Sequence, residues 1–181
     1  MSENALTEVA FGEYRKKWSP EQQMHQGVAR FAGDTDQLSE EDGLMSWHDG
    51  SSNQSSELPL ILHDIDPHTR EKHLWVVIDD EVLHAKEYCD FGEEREAGRI
   101  KHSNLTGGGL AFMGGEILLA EPNVVLLNGC SGRYRCSSEA ELSDVAKAFA
   151  KSGYVVFSMG YDHDTDRPAL FGVKEADLVA A

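Results

Sequence analysis

The chain has few of the residues that mark secreted or membrane proteins. Its 181 residues include three cysteines, an odd number without a Cys-x-x-Cys pair, which argues against a disulfide framework and predicts reduced thiols. The longest strongly apolar runs, such as 74–78 and 124–127, are far shorter than the roughly 20 residues that span a bilayer. No basic segment followed by an apolar stretch stands near Met1. We therefore expect no membrane span, no targeting segment and a cytoplasmic location.

Basic residues are also scarce. Sixteen Lys and Arg stand against 32 Asp and Glu, which gives a net charge of -16. A charge of this sign repels a phosphate backbone, so we expect no direct binding to nucleic acid. The acidity itself has two interpretations. It can serve solubility alone, or it can mark an inhibitor, immunity or anti-defence protein that occupies the basic surface of a partner protein.

Several common enzyme and metal signatures are missing. The glycine run 107–109 is not followed by Gly-Lys-Ser or Gly-Lys-Thr, so it is not a P-loop, and the chain has no Gly-x-Ser-x-Gly elbow. The five-residue spacing of histidines between His63 and His73 matches no common zinc signature. Residues 162–166 begin like a calcium loop, but Arg167 stands where Gly is required. We predict no metal site, and the cofactor remains unknown.

The composition of the chain changes near residue 57. Residues 1–56 are rich in polar residues and predict an N-terminal arm, with a short helix around 20–33 and a polar linker at 49–56. Residues 57–175 carry the apolar and β-branched runs and predict a single core domain, and residues 176–181 form a tail.

The core domain is predicted to be α+β, with a mostly antiparallel sheet of hairpins and one helix packed on it. Ser138 and Glu141 form a capping-box pattern that starts an amphipathic helix over 138–152, with Gly153 at its end. Residues 90–98 read as a loop. The predicted strands are 58–62 paired with 74–78, 116–120 paired with 124–127, and single strands at 100–105, 154–159 and 169–173.

Glycine and polar residues are most concentrated between residues 101 and 134. Glycines let backbone N–H groups approach a ligand, and a neighbouring His can act as a general base oriented by a carboxylate. We therefore predict His102 and Glu116 as catalytic residues. The predicted ligand-binding residues are Ser103, Gly107, Gly108, Ser131, Gly132 and Tyr134. In the alternative interpretation the glycines only allow tight turns and close strand packing, and the polar side chains are satisfied locally.

The same segment resembles a pattern found in uncharacterised bacterial proteins and in plant IQ-motif calmodulin-binding proteins. That pattern has a His-Ser pair, a double Gly, a Gly-Glu pair, and Ser-Gly-His-Tyr before a helix. Its counterparts here are 102–103, 107–108, 115–116 and 131–134, within a similarity that covers about residues 100–160. Arg133 stands where the plant proteins have His, and the chain has no IQ motif, so calmodulin binding is not carried over. The resemblance supplies no reaction, but it implies that five side chains converge: His102, Ser103, Glu116, Ser131 and Tyr134.

Together these observations predict a small cytoplasmic protein with a Gly-rich polar pocket for a nucleotide-like or other small anionic ligand. Whether it is an enzyme is left open. The alternative is the acidic inhibitor that binds the basic surface of a partner. A pocket protein should gather the predicted polar residues around one concavity, whereas an inhibitor should present a continuous acidic face.

Overall fold

The structure is a computed structural model that describes residues 4–18, 30–50 and 65–181. In these ranges the helices are α1 (Ala5–Lys17), α2 (Asp90–Glu93), α3 (His102–Thr106) and α4 (Glu139–Lys151). The strands are β1 (Met45–Ser46), β2 (His73–Val77), β3 (Val82–Lys86), β4 (Gly114–Glu121), β5 (Val124–Asn128), β6 (Val155–Ser158), β7 (Tyr161–Asp162), β8 (Arg167–Pro168) and β9 (Asp177–Leu178). None of the described helices is long and apolar enough to cross a bilayer.

Seven of these strands form one sheet in the order β1-β3-β2-β4-β5-β6-β9. Every neighbouring pair is antiparallel except β5 and β6, which run parallel. Parallel neighbours need a crossover connection, and α4 provides it between β5 and β6. Strands β7 and β8 form a separate two-stranded hairpin. Helices with a mostly antiparallel sheet confirm the predicted α+β class.

Helix α4 is the main element that covers the sheet. Its apolar residues Leu142, Val145 and Phe149 are buried, and burying each such side chain stabilises the fold by about 1.5–3 kcal/mol. Ser138 Oγ accepts a hydrogen bond from the Glu141 amide at 3.2 Å, as the capping pattern predicts. The Glu141 carboxylate bonds elsewhere, so only half of the capping box forms. The helix predicted at 138–152 is confirmed.

The described part of the predicted N-terminal arm contributes to the same core. Phe11 of α1 meets Phe149 edge to face, with ring centroids 5.0 Å apart. The ring centroids of Trp47 and Phe149 lie 4.9 Å apart, and Trp47 Nε1 donates to Ser152 Oγ at 3.1 Å. Tyr14 donates to the buried Glu141 carboxylate at 2.8 Å. These contacts join residues 5–17 and 47 to α4.

Several predicted strands are confirmed and two are wrong. The hairpin of β4 and β5 is confirmed, as are the strands at 74–78 and 154–159, although 74–78 pairs with β3 and β4. Its predicted partner 58–62 and most of the predicted helix at 20–33 lie outside the described residues.

Residues 100–105 were predicted as a strand but lie mostly in helix α3. The Lys101 amide donates to Asn104 Oδ1 at 2.8 Å, and this local bond starts a helical turn that ends at Gly107, where φ is 64°. No strand forms at 169–173, because the chain leaves the hairpin after Pro168 and returns to the sheet only at β9. The predicted loop 90–98 contains the short helix α2.

Strands β2 and β3 bury a pair of imidazoles. The Nδ1 atoms of His73 and His84 lie 3.1 Å apart, and His84 Nε2 has no hydrogen-bond partner among the described residues. Burial lowers the pKa of His84 to about 3 and that of His73 to about 4. His73 and then His48 act in the same direction at His84, and Lys86 does so at His73, where Glu71 opposes it. Both rings are therefore neutral in the folded protein near neutral pH.

We predict that the protein loses stability as the pH falls from about 6.5 towards 4. In this window the unfolded chain binds protons at His73 and His84, whereas the folded chain does not. The free energy of unfolding therefore falls by on the order of 3 kcal/mol per histidine. Urea unfolding at a series of pH values measures the effect. His84→Phe should flatten the profile, and His163→Phe, at an exposed position, should leave it unchanged. Equal pH dependence in His84→Phe and the natural protein would contradict the prediction.

Candidate functional site

A cavity of about 580 Å³ lies between the segment that connects β5 to α4 and the hairpin of β7 and β8. We call it the hairpin cavity. Its lining residues are Gly129, Cys130, Ser131, Gly132, Arg135, Cys136, Ser137, Tyr161, Asp166, Arg167, Pro168 and Leu170. One wall leaves the C-terminal end of the central strand β5, and the other is the hairpin itself. The cavity therefore depends on the crossover that makes β5 and β6 parallel.

Two arginines from opposite walls line this cavity. Arg135 lies in the segment before α4, and Arg167 lies on β8. Within the described ranges, no carboxylate oxygen comes within 4.0 Å of either guanidinium. Of the three hairpin aspartates, Asp166 lines the cavity, and its carboxylate accepts a hydrogen bond from the Tyr161 hydroxyl at 3.2 Å. Among the described residues, the cavity thus holds two guanidinium groups without a carboxylate within 4.0 Å, in a chain of net charge -16. Asp162 is the cross-strand neighbour of Arg167 in the hairpin.

The hydroxyls of the cavity differ in how they are used. Ser131 Oγ accepts a hydrogen bond from the Tyr134 amide at 3.0 Å, which leaves its own proton for another acceptor. Ser137 Oγ donates to the Glu141 carboxylate at 2.6 Å. Ser131 is therefore the hydroxyl of this wall that can donate to a ligand.

Two thiols complete the wall next to Ser131. Cys130 Sγ lies 3.5 Å from the Pro168 carbonyl, and Cys136 Sγ lies 3.0 Å from the Ser138 carbonyl. Burial raises the pKa of Cys130 to about 12 and that of Cys136 to about 11. Because the thiolate is the reactive form, neither group is an activated nucleophile at neutral pH. Both present an apolar sulfur to the cavity.

Behind the cavity, the side chain of Asn128 joins the lining segment to a buried carboxylate. Its Oδ1 accepts from the amides of Glu116 and Cys130, each at 3.0 Å, and its Nδ2 donates to Glu116 Oε2 at 2.9 Å. Glu116 Oε1 accepts from Lys72 Nζ at 2.7 Å. Glu87 Oε2 lies 3.3 Å from the same ammonium, without hydrogen-bond geometry. Lys72, Glu116 and Glu87 are thus members of a buried ion network.

The network holds Lys72 in its charged form. Burial lowers the pKa of Lys72, but the hydrogen bond and charge of Glu116 and the charge of Glu87 outweigh it and hold the pKa above its usual value. Arg99 lies 3.5 Å from Glu87 and adds a second cation. The two cations and two carboxylates balance, which is the condition for burying such charges.

Helix α3 holds the predicted general base away from the cavity. His102 Nε2 lies 2.8 Å from the Gly115 carbonyl, which can only accept, so Nε2 carries the proton. Burial lowers the pKa of His102 to about 4. Glu116, its predicted partner, is occupied by Lys72 and Asn128. The catalytic roles predicted for His102 and Glu116 are not supported by this geometry.

The other predicted residues fall into two groups. Ser131 and Gly132 line the cavity. Ser103 accepts from Arg133 Nε at 3.1 Å, and Arg133 pairs with Asp34. The Tyr134 hydroxyl donates to the Gly109 carbonyl at 2.7 Å. Ser103 and Tyr134 therefore tie α3 to neighbouring segments, and neither lines the cavity.

Glycines between the two groups serve turns and close packing. Gly107 and Gly108 have φ of 64° and 78°, which favour glycine. A Cβ at Gly114 would meet the His102 ring at 2.8 Å and Ser131 Oγ at 3.4 Å. His102 and Ser131 thus approach one another beside Gly114, but Ser131 lines the hairpin cavity and His102 does not.

Ten of the twelve cavity residues were not among the predicted ones, and Arg135, Cys136, Tyr161 and Arg167 are four of these ten. Arg135 follows Tyr134 directly, so extending the predicted segment by one residue would have included it. Tyr161 and Arg167 flank the turn 162–166, which begins like a calcium loop but lacks the required glycine. No local signal in that turn indicates that it faces residues 129–137.

Comparison with protein-family models, with curated proteins and with solved structures found no match for this chain. Among the described residues, no group of three or more His, Cys, Asp or Glu side chains is arranged to hold a metal ion.

We predict that Cys130 and Cys136 alkylate at least about a hundredfold more slowly with iodoacetamide at neutral pH than an unperturbed cysteine peptide. Their raised pKa values leave a very small thiolate fraction. Mass spectrometry of the digested protein measures each site. Urea-unfolded protein is the control and should react at the peptide rate. Labelling of the folded protein at the peptide rate would show that the pKa values of Cys130 and Cys136 are not raised.

We predict that Lys72→Met and Glu116→Gln each lower the free energy of unfolding by about 3–5 kcal/mol, because each leaves a buried partner uncompensated. The double variant should lose less than the sum of the two. The exposed pair Lys86 and Glu71, 3.1 Å apart, provides matched variants that should cost about 0–1 kcal/mol. Urea unfolding of both cycles measures the difference. Equal losses in the buried and exposed pairs would show that the network is not stabilising.

Proposed function

We propose that the protein binds a small anionic ligand in the hairpin cavity. The observation that carries this proposal is the pair of arginines, Arg135 and Arg167, which line one cavity from opposite walls without a carboxylate partner in the described ranges. The chain has twice as many acidic as basic residues, and a ligand anion would supply the negative charge that these two arginines lack.

The remaining lining suits an anion. Guanidinium groups bind phosphate and carboxylate through paired N–H donors, and such charge-assisted bonds are the strong ones. The Ser131 hydroxyl can add a further donor, and the exposed Gly132 lets a ligand approach the backbone closely. A volume of about 580 Å³ lies within the 300–1,000 Å³ that is usual for small-molecule sites.

The proposal is binding, without an assigned reaction. The two thiols of the cavity stay protonated at neutral pH, and His102 does not line it. The proposed ligand-binding residues are therefore Ser131, Gly132, Arg135 and Arg167.

The acidic inhibitor remains the alternative proposal, and the arginines separate the two. An inhibitor that docks on a basic partner through acidic side chains would not need Arg135 or Arg167. Its partner affinity would fall steeply with salt, because many exposed charges contribute.

We predict that the protein binds inorganic pyrophosphate, measured by isothermal titration calorimetry, and that the double variant Arg135→Gln/Arg167→Gln weakens this binding at least about tenfold. Each charge-assisted bond contributes about 1.5–3 kcal/mol, so the loss of two should exceed one factor of ten. Arg30→Gln is the matched control, because Arg30 is exposed and does not line the cavity.

Circular dichroism and urea unfolding should show that both variants keep the fold, since Arg30, Arg135 and Arg167 are exposed. Two results would overturn the proposal. One is the absence of pyrophosphate binding at millimolar concentration, and the other is binding that the double variant leaves unchanged.

A further inference from the structure

The lining of the hairpin cavity is divided into a cationic part and an apolar part. Beside the arginines, the hairpin presents Tyr161, Pro168 and Leu170, and Leu170 is 43% exposed. The sulfurs of Cys130 and Cys136 extend this surface from the opposite wall. A plain inorganic anion would satisfy the arginines and leave this apolar surface in water.

The Tyr161 ring is held in place from two sides. It packs against the apolar core that contains Trp47 and Phe149, and its hydroxyl donates to Asp166 Oδ1 at 3.2 Å. An aromatic ring fixed in this way offers a stacking surface with little loss of side-chain freedom on binding. The apolar part of the lining therefore favours a flat ring in the ligand.

Asp166 brings a single carboxylate into the same cavity. Among the described non-glycine residues it is the one with a positive φ, 52°, a conformation that aspartate tolerates better than most residues. A carboxylate beside the arginines repels a ligand that is anionic throughout. It accepts hydrogen bonds from a ligand that carries hydroxyl or amine donors away from its anionic end.

We infer that the ligand is a nucleoside monophosphate, which combines these three parts. Its phosphate would contact Arg135 and Arg167, its base would lie on Tyr161 and Leu170, and its sugar hydroxyls would donate to Asp166. The inference rests on the proposed function, because it assigns the anion to the same two arginines.

The test compares four probes by isothermal titration calorimetry: adenosine 5′-monophosphate, adenosine, ribose 5-phosphate and inorganic phosphate. Adenosine 5′-monophosphate should bind at least about tenfold more tightly than each of the other three, because each lacks the ring, the phosphate or both the ring and the sugar. Stacking of one base on an aromatic ring contributes about 1–3 kcal/mol, which corresponds to this factor.

Variants of the lining residues test which wall of the cavity contacts each part of the ligand. Tyr161→Leu should remove the advantage of adenosine 5′-monophosphate over ribose 5-phosphate, whereas Tyr161→Phe, which keeps the ring, should retain it. Arg135→Gln/Arg167→Gln should remove its advantage over adenosine. Leu170→Ser repeats the ring test at an exposed position, in case Tyr161→Leu fails to fold.

The outcomes separate the two proposals. If ribose 5-phosphate or inorganic phosphate binds through the arginines as tightly as adenosine 5′-monophosphate, the nucleotide inference is wrong and anion binding stands. If no phosphorylated probe and no pyrophosphate binds, both are wrong. If adenosine 5′-monophosphate binds equally well to Tyr161→Phe and Tyr161→Leu, and Leu170→Ser leaves binding unchanged, the assignment of its base to the hairpin is wrong.

Discussion

The Asn128 side chain is the contact on which both the sheet and the cavity depend. One amide group accepts hydrogen bonds from the backbone of β4 and of the cavity-lining segment, and donates to the carboxylate that holds the Lys72 ammonium. Because the group is fully buried, each of these bonds forms without competing water. The start of the lining segment is thus fixed by the same residue that orients Glu116. The Asn128 side chain therefore links the cavity wall to the ion network inside the sheet.

Regular elements were predictable where local chemistry and burial agree. The turn 121–123 between two apolar runs predicted β4 and β5, and Ser138 with the apolar spacing after it predicted α4. Residues 100–105 were predicted as a strand because Ile100 and Leu105 are typical of strands. The Asn104 side chain, however, accepts a hydrogen bond from the Lys101 amide, and this bond favours a helix. The hydrophobic pattern of six residues does not show whether that single hydrogen bond forms.

The candidate site was predictable in part, for a similar reason. Glycine and serine density pointed to the segment that contains Ser131 and Gly132, because close backbone approach leaves a mark in local sequence. His102 and Glu116 carried the expected residue types, but their bonds to Gly115 and Lys72 are set by strand register and by partners far along the chain. The opposite wall comes from a hairpin about 30 residues away, and no pattern within either segment encodes that juxtaposition.

The two walls of the cavity differ in how firmly they are anchored. The segment 129–137 is fixed between a five-residue central strand and a thirteen-residue helix. The hairpin that faces it pairs over only two residues on each side, through Tyr161 with Pro168 and Asp162 with Arg167. A two-residue ladder has few hydrogen bonds to break, so even with Tyr161 packed on the core it opens locally at lower free energy than the strand and helix opposite. A molecule that bridges both walls would therefore favour the closed hairpin by mass action, so its concentration would set how long that wall stays in place.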